Sequence, residues 1–152
     1  MRDSLWPEFK ITDENSPKKI LEEQARYLSQ ATSQILHGEV DKSAVFVNTA
    51  LAISMDLPIS NVLYGISANN ISYSLYIVAP RLSNYRYELL AINYNPIEYY
   101  PLMISDAIGT TNKMLSNEND YMMYLSSLFK SEKVNSIISR LINQSRKGRN
   151  FL

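Results

Sequence analysis

The chain predicts an α+β fold: an N-terminal helix, an antiparallel sheet of about four strands and two C-terminal helices packed on one face. A helical apolar period opens after Ser16, a two-residue period runs from Ile71, and apolar spacings of three and four return after Glu118. The connections between predicted strands are short. Parallel neighbours need a crossover of a dozen residues or more, so antiparallel pairing follows.

Residues 1–15 mix charges with a Trp6-Pro7 pair and no period, and read as an arm that Trp6 and Phe9 are suited to pin to the body. Residues 16–146 form a single domain and residues 147–152 a basic tail. Ser16 followed by Pro17 starts a helix: the hydroxyl accepts an orphan amide, and proline at the first position gives up no bond. The helix is expected to run to His37, with Gly38 as its left-handed stop. Leu21, Ala25, Leu28, Ile35 and Leu36 form its apolar stripe, widened by Ile20, Tyr27 and Ala31.

From Glu39 to Met55 the β-branched and aromatic content predicts extended chain, although Ala50, Leu51 and Ala52 suit a helix equally. Pro58, Asn61 and Gly65 punctuate an irregular segment. Ile71, Tyr73, Leu75 and Ile77 then alternate with Ser72, Ser74 and Tyr76 as in a half-buried strand that Pro80 ends. After a turn at Leu82 to Asn84, Tyr85 to Tyr94 makes a strand with less clean alternation. Asn95-Pro96 turns the chain into a short strand at Tyr99 to Ser105, and Gly109 to Asn119 is polar and turn-prone. Glu118 and Asp120 suit the positive end of a helix through Phe129, and Ser131 with Glu132 begins another that carries Val134, Ile137, Ile138, Leu141 and Ile142.

At 152 residues the chain suits one domain, and 45% hydrophobic with 20% charged residues is ordinary globular usage. Cysteine is absent, which removes disulfides, thiolate catalysis and cysteine-based zinc sites. The first eight residues offer no apolar block for a secretory signal, so a cytoplasmic location is expected. Polar residues interrupt the apolar stretch from Ala44 to Leu57, and no membrane span is predicted. The tripeptides Asn70-Ile71-Ser72 and Asn143-Gln144-Ser145 match the glycosylation pattern, which carries weight only in a secreted chain.

Net charge is zero, yet residues 130–152 hold six basic and one acidic side chain. Arg140, Arg146, Lys147 and Arg149 are the candidates for contacts with nucleic acid or an acidic partner. A neutral whole lacks the broad positive field of proteins devoted to nucleic acid.

Catalytic chemistry is hard to assemble. The sole histidine, His37, falls at the expected helix end, where capping accounts for it. Asp13-Glu14 and Glu22-Glu23 point in different directions, while Glu88, Glu98 and Asp106 would have to converge to make a carboxylate or metal site. Ile108 to Lys113 lacks the glycine spacing and Gly-Lys-Ser/Thr ending of a phosphate loop. No cofactor and no metal is expected.

Eight of the eleven tyrosines lie between Tyr64 and Tyr100. Tyrosine adds contact area at low entropic cost and, with arginine, typifies binding hot spots. Tyr73, Tyr76, Arg81, Tyr85, Arg86, Tyr87, Tyr94, Tyr99 and Tyr100 are therefore the candidate partner-binding residues, weighed evenly against cross-strand pairs that only stabilise the sheet. The expected function is a small, non-enzymatic binding protein of the adaptor, immunity or antitoxin-like type. Its partner would be another protein or a second copy of itself. The alternative is single-stranded nucleic-acid binding, with sheet tyrosines stacking bases and the basic C-terminal helix meeting phosphate.

Overall fold

The computed structural model describes residues 2–12, 14–43 and 69–147. Ser16 starts helix α1 (Pro17–Ala31) as its sequence dictates, its Oγ accepting the Lys19 amide at 3.2 Å. The helix stops well short of His37. Ser33 and Gln34 turn left-handed, with φ of 50° and 65°. The Gln34 amide donates to the Ser29 carbonyl at 2.8 Å and the Ser33 amide to the Gln30 carbonyl at 3.3 Å, the paired bonds of a Schellman stop made without glycine. Thr32 locks it: its Oγ1 lies 3.0 Å from the Leu28 carbonyl and 3.1 Å from the Leu36 carbonyl, and accepts the Leu36 amide at 3.2 Å. Ile35 and Leu36 are buried, as predicted, but from the turn rather than from the helix.

Gly38 ends no helix and lies in strand β1 (His37–Lys42). A Cβ there would come within 2.6 Å of Ala25 Cα, so its missing side chain lets α1 settle onto the strand. His37 is correspondingly no helix cap: it opens β1, its Nε2 3.1 Å from Glu39 Oε1.

The sheet continues through β2 (Ile71–Ala79), β3 (Tyr85–Tyr94), β4 (Leu102–Asp106) and β5 (Lys113–Leu115), with a 3₁₀ turn at Pro80–Leu82 between β2 and β3. Its order is β1-β2-β3-β4-β5, every pair antiparallel. Five strands replace the expected four because β5 forms within the segment read as polar turn, where Leu115 pairs with Leu102 and Met114 with Met103. The strand expected from Tyr99 begins only at Leu102. Of the extended chain expected over Glu39 to Met55, β1 holds the described part. Ala44 onward, with Pro58, Asn61 and Gly65, lies outside the described residues.

The uneven alternation of β3 has a structural cause. Leu75 faces Leu90 and Tyr76 faces Glu88, which leaves Leu89 without an opposite residue. This bulge puts both Leu89 and Leu90 into the core. It also reverses the parity of everything before it, because side chains alternate with a period of two. Leu90, Ile92 and Tyr94 face the helices, and before the bulge so do Tyr85 and Tyr87, opposite Ala79 and Ile77. Arg86 and Glu88 go to the other face, opposite Val78 and Tyr76.

Helices α2 (Glu118–Phe129) and α3 (Glu132–Lys147) follow the sheet. Asn117 caps α2, its Oδ1 accepting the Asp120 amide at 2.8 Å, and Ser131 Oγ accepts the Val134 amide at 3.3 Å. Leu21 of α1, Tyr121 and Leu125 of α2 and Val134 of α3 share one core with Leu75, Ile77, Leu90, Ile92 and Ile104, so all three helices cover the same sheet face. Ala91, Met103 and Met114 form a smaller cluster on the other face. Among the described residues no helix is long and apolar enough to cross a membrane.

Candidate functional site

The tyrosines do not share one surface: Tyr76 lies on the face away from the helices, and those on the helical side fall into two places, one beside the start of α1 and one beside α3. Tyr73, Tyr94 and Tyr99 stack beside the start of α1, with centroids 6.3 Å apart for the first pair and 6.0 Å, edge to face, for the second. Lys18 Nζ sits 4.8 Å above the Tyr73 ring. Tyr94 is 2% exposed, and burial pushes its hydroxyl up to about 12. The Tyr99 hydroxyl donates to Glu14 Oε2 at 3.0 Å and is raised chiefly by that bond. Tyr100 packs near Tyr121, ring centroids 6.4 Å apart, and burial raises its hydroxyl as well. Tyr121 donates to the Pro17 carbonyl at 3.1 Å. These rings hold helix to sheet.

On the opposite face, Arg86 lies over Tyr76 with its guanidinium carbon 4.0 Å from the ring centroid. Its Nε is 3.3 Å from Glu39 Oε2 and an Nη is 3.8 Å from Asp41 Oδ2. Burial, with Glu88 beside it, raises the Tyr76 hydroxyl. The arginine is thus engaged by two carboxylates and a ring of its own chain, a partly solvated cross-strand network.

The third group is open. Tyr85 and Tyr87, brought to the helical face by the bulge, meet α3 across a groove of 490 Å³ that Leu82, Ile137, Arg140, Leu141 and Gln144 complete. Tyr85 is 50% exposed and Arg140 is exposed. Among the described residues no carboxylate pairs with Arg140. The groove combines an apolar floor, two phenol rings, a free guanidinium and one amide. It can hold an apolar or aromatic side chain while offering hydrogen bonds and charge at the rim.

Of the nine proposed tyrosine and arginine positions, Tyr85 and Tyr87 line this groove. Arg81 is exposed in the 3₁₀ turn and does not line it. Of the basic residues, Arg140 is present and Arg146, exposed elsewhere on α3, is not. Lys147 ends α3, and Arg149 lies outside the described residues. Sequence reasoning places Ile137 and Leu141 in a helix stripe and Leu82 in a turn, and assigns none of these or Gln144 to the site. The three- and four-residue spacing of Ile137, Leu141 and Gln144 marks a common helix side, but only the bulge tells which ring faces it.

Glu88, Glu98 and Asp106 are separated. Glu88 lies on the face away from the helices, Glu98 is exposed in the turn capped by Asn95, and Asp106 ends β4. Asp106 is engaged as the acceptor of a turn: its Oδ1 takes the amides of Ile108, Gly109 and Thr110, each at 3.0 Å, and its Oδ2 takes the Tyr124 hydroxyl. Among the described residues no three metal-ligating side chains gather. Comparison with protein-family models, with curated proteins and with solved structures finds no match.

Proposed function

We propose that this chain is a small, non-enzymatic binding protein whose protein partner docks in the groove between the start of β3 and α3. The convergence of Tyr85, Tyr87 and Arg140, with which no carboxylate among the described residues pairs, around an apolar floor supports this, since aromatic rings and arginine at the centre of a desolvated patch supply most of the energy of protein interfaces. The single cation suits a carboxylate or carbonyl on the partner. A single-stranded nucleic acid would call for a row of cations along the groove, and of the α3 residues lining it only Arg140 is basic. A cytoplasmic setting belongs to the same proposal, because a cysteine-free chain forgoes no disulfide there.

The test is affinity purification from the native host with the wild type, Tyr85→Ala and Arg140→Glu, each checked by thermal unfolding. Retention of one protein by the wild type, reduced roughly tenfold or more in either folded variant, supports the assignment. Equal retention by the variants overturns it. Recovery of nucleic acid whose binding weakens steeply with salt would transfer the groove to the other class of partner.

A further inference from the structure

Residues 2–12 form no helix or strand, and Leu5, Trp6, Phe9 and Ile11 are 96, 77, 64 and 91% exposed. Leaving such side chains in water is costly, and association relieves the cost. The Trp6 and Phe9 rings already pair, centroids 6.0 Å apart, and present a single aromatic wedge. On the body, α1 and the α2–α3 corner stand over the sheet with a crevice of 240 Å³ between them. Leu75, Ile77 and Leu89 form its floor, Leu28, Phe129 and Ile138 its sides, and among the described residues no charged side chain lines it. An apolar cavity of about 150 Å³ admits a benzene ring, so this one is large enough for an indole.

We infer that the arm of a second copy of this chain fills the crevice, with Trp6 inserted. The crevice and the arm are the matching halves of one apolar contact. Within a single chain the arm stays clear of it, since Leu5, Trp6, Phe9 and Ile11 all keep most of their surface in water and none of them lines the crevice. Reciprocal exchange closes a two-fold pair and uses both arms and both crevices; one-way insertion would leave an open string of copies.

Trp6 is the only tryptophan in the chain, so its emission reports docking directly. The full chain is diluted over a wide concentration range while emission and sedimentation are recorded together. A dimer with blue-shifted emission at high concentration, both reverting on dilution, is the expected result. Ala31→Lys puts a charge at the crevice mouth at an exposed helix end that tolerates a cation. It should weaken the dimer roughly thirtyfold, the loss of one interface anchor, with thermal unfolding of the diluted protein unchanged. Tyr27→Glu, at a position 56% exposed, supplies the same reading should Ala31→Lys fail to fold. Water-exposed emission at every concentration overturns the inference, as does a buried Trp6 in a monomer, which would mean that the arm folds back on its own chain. A dimer indifferent to both crevice variants overturns it too. The Tyr85 and Arg140 groove is separate, and its variants leave this dimer intact.

Discussion

The Tyr124 hydroxyl donates to Asp106 Oδ2 and so joins α2 to the turn between β4 and β5. Three backbone amides of that turn already converge on Asp106 Oδ1. Burial alone would raise the carboxyl, but the Tyr124 bond and the amides outweigh it, and Asp106 titrates below its ordinary value. Burial first, and then the Asp106 bond, pushes Tyr124 up to about 12. The two shifts act at opposite ends of the pH scale.

Asp106 is stabilising above the unfolded carboxyl value of roughly 3.9, and its contribution is lost as pH falls through its lower folded value. Tyr124 contributes fully below pH about 10 and loses that contribution as pH rises toward about 12. Urea unfolding across pH should show the acid arm flattened in Asp106→Asn relative to wild type, and the alkaline arm flattened in Tyr124→Phe. The second variant should cost about 1 kcal/mol near neutrality, the net worth of one such bond. Parallel profiles for wild type and Tyr124→Phe would disprove the coupling.

Gly38→Ala should destabilise by about 1–3 kcal/mol, because the added methyl meets Ala25 and forces α1 off β1. A lowered denaturant midpoint with an unchanged slope is the expected signature. Wild-type stability in this variant would mean that helix and strand have room to part.

Thr32→Val keeps the shape of the side chain but leaves the Leu36 amide without its acceptor in a buried turn, at a cost of about 1–3 kcal/mol. Ser33→Gly at the neighbouring left-handed position should be neutral or stabilising by up to about 1 kcal/mol, as glycine adopts that conformation without strain. Calorimetry of the two variants distinguishes a hydroxyl lock from a plain requirement for a left-handed residue.

Arg86→Ala should leave partner capture at the wild-type level and change stability by less than about 1 kcal/mol, since its ion pairs are partly solvated and lie on the face opposite the groove. Loss of capture in Arg86→Ala, with Tyr85→Ala unaffected, would move the binding surface to the other side of the sheet.

Local signals read well where one short-range interaction settles the outcome. Ser16-Pro17 marks the start of α1 and Glu118 with Asp120 that of α2 because a cap or a charge and the first turn lie within four residues, and the apolar spacing of α3 names its buried side unaided. The same logic misplaced the end of α1. Its stop is made by two non-glycine residues in left-handed conformation, held by a threonine whose partners lie on both sides of the turn, while the obvious glycine serves a helix–strand contact thirteen residues away in sequence. β5 was invisible for a related reason: three residues become a strand only when Leu102 and Met103 are there to pair with them.

The sequence by itself determined the α+β class, the antiparallel meander and the wealth of tyrosine in its strands, because periodicity and turn chemistry act over a few residues. Which rings reach a surface was decided by the tertiary structure. A single unpaired position at Leu89 reverses the faces of the preceding residues, turning Tyr85 and Tyr87 toward Arg140 and sending Arg86 away to Glu39 and Asp41. A bulge is a property of two strands in register, and no one strand's sequence contains the other's spacing.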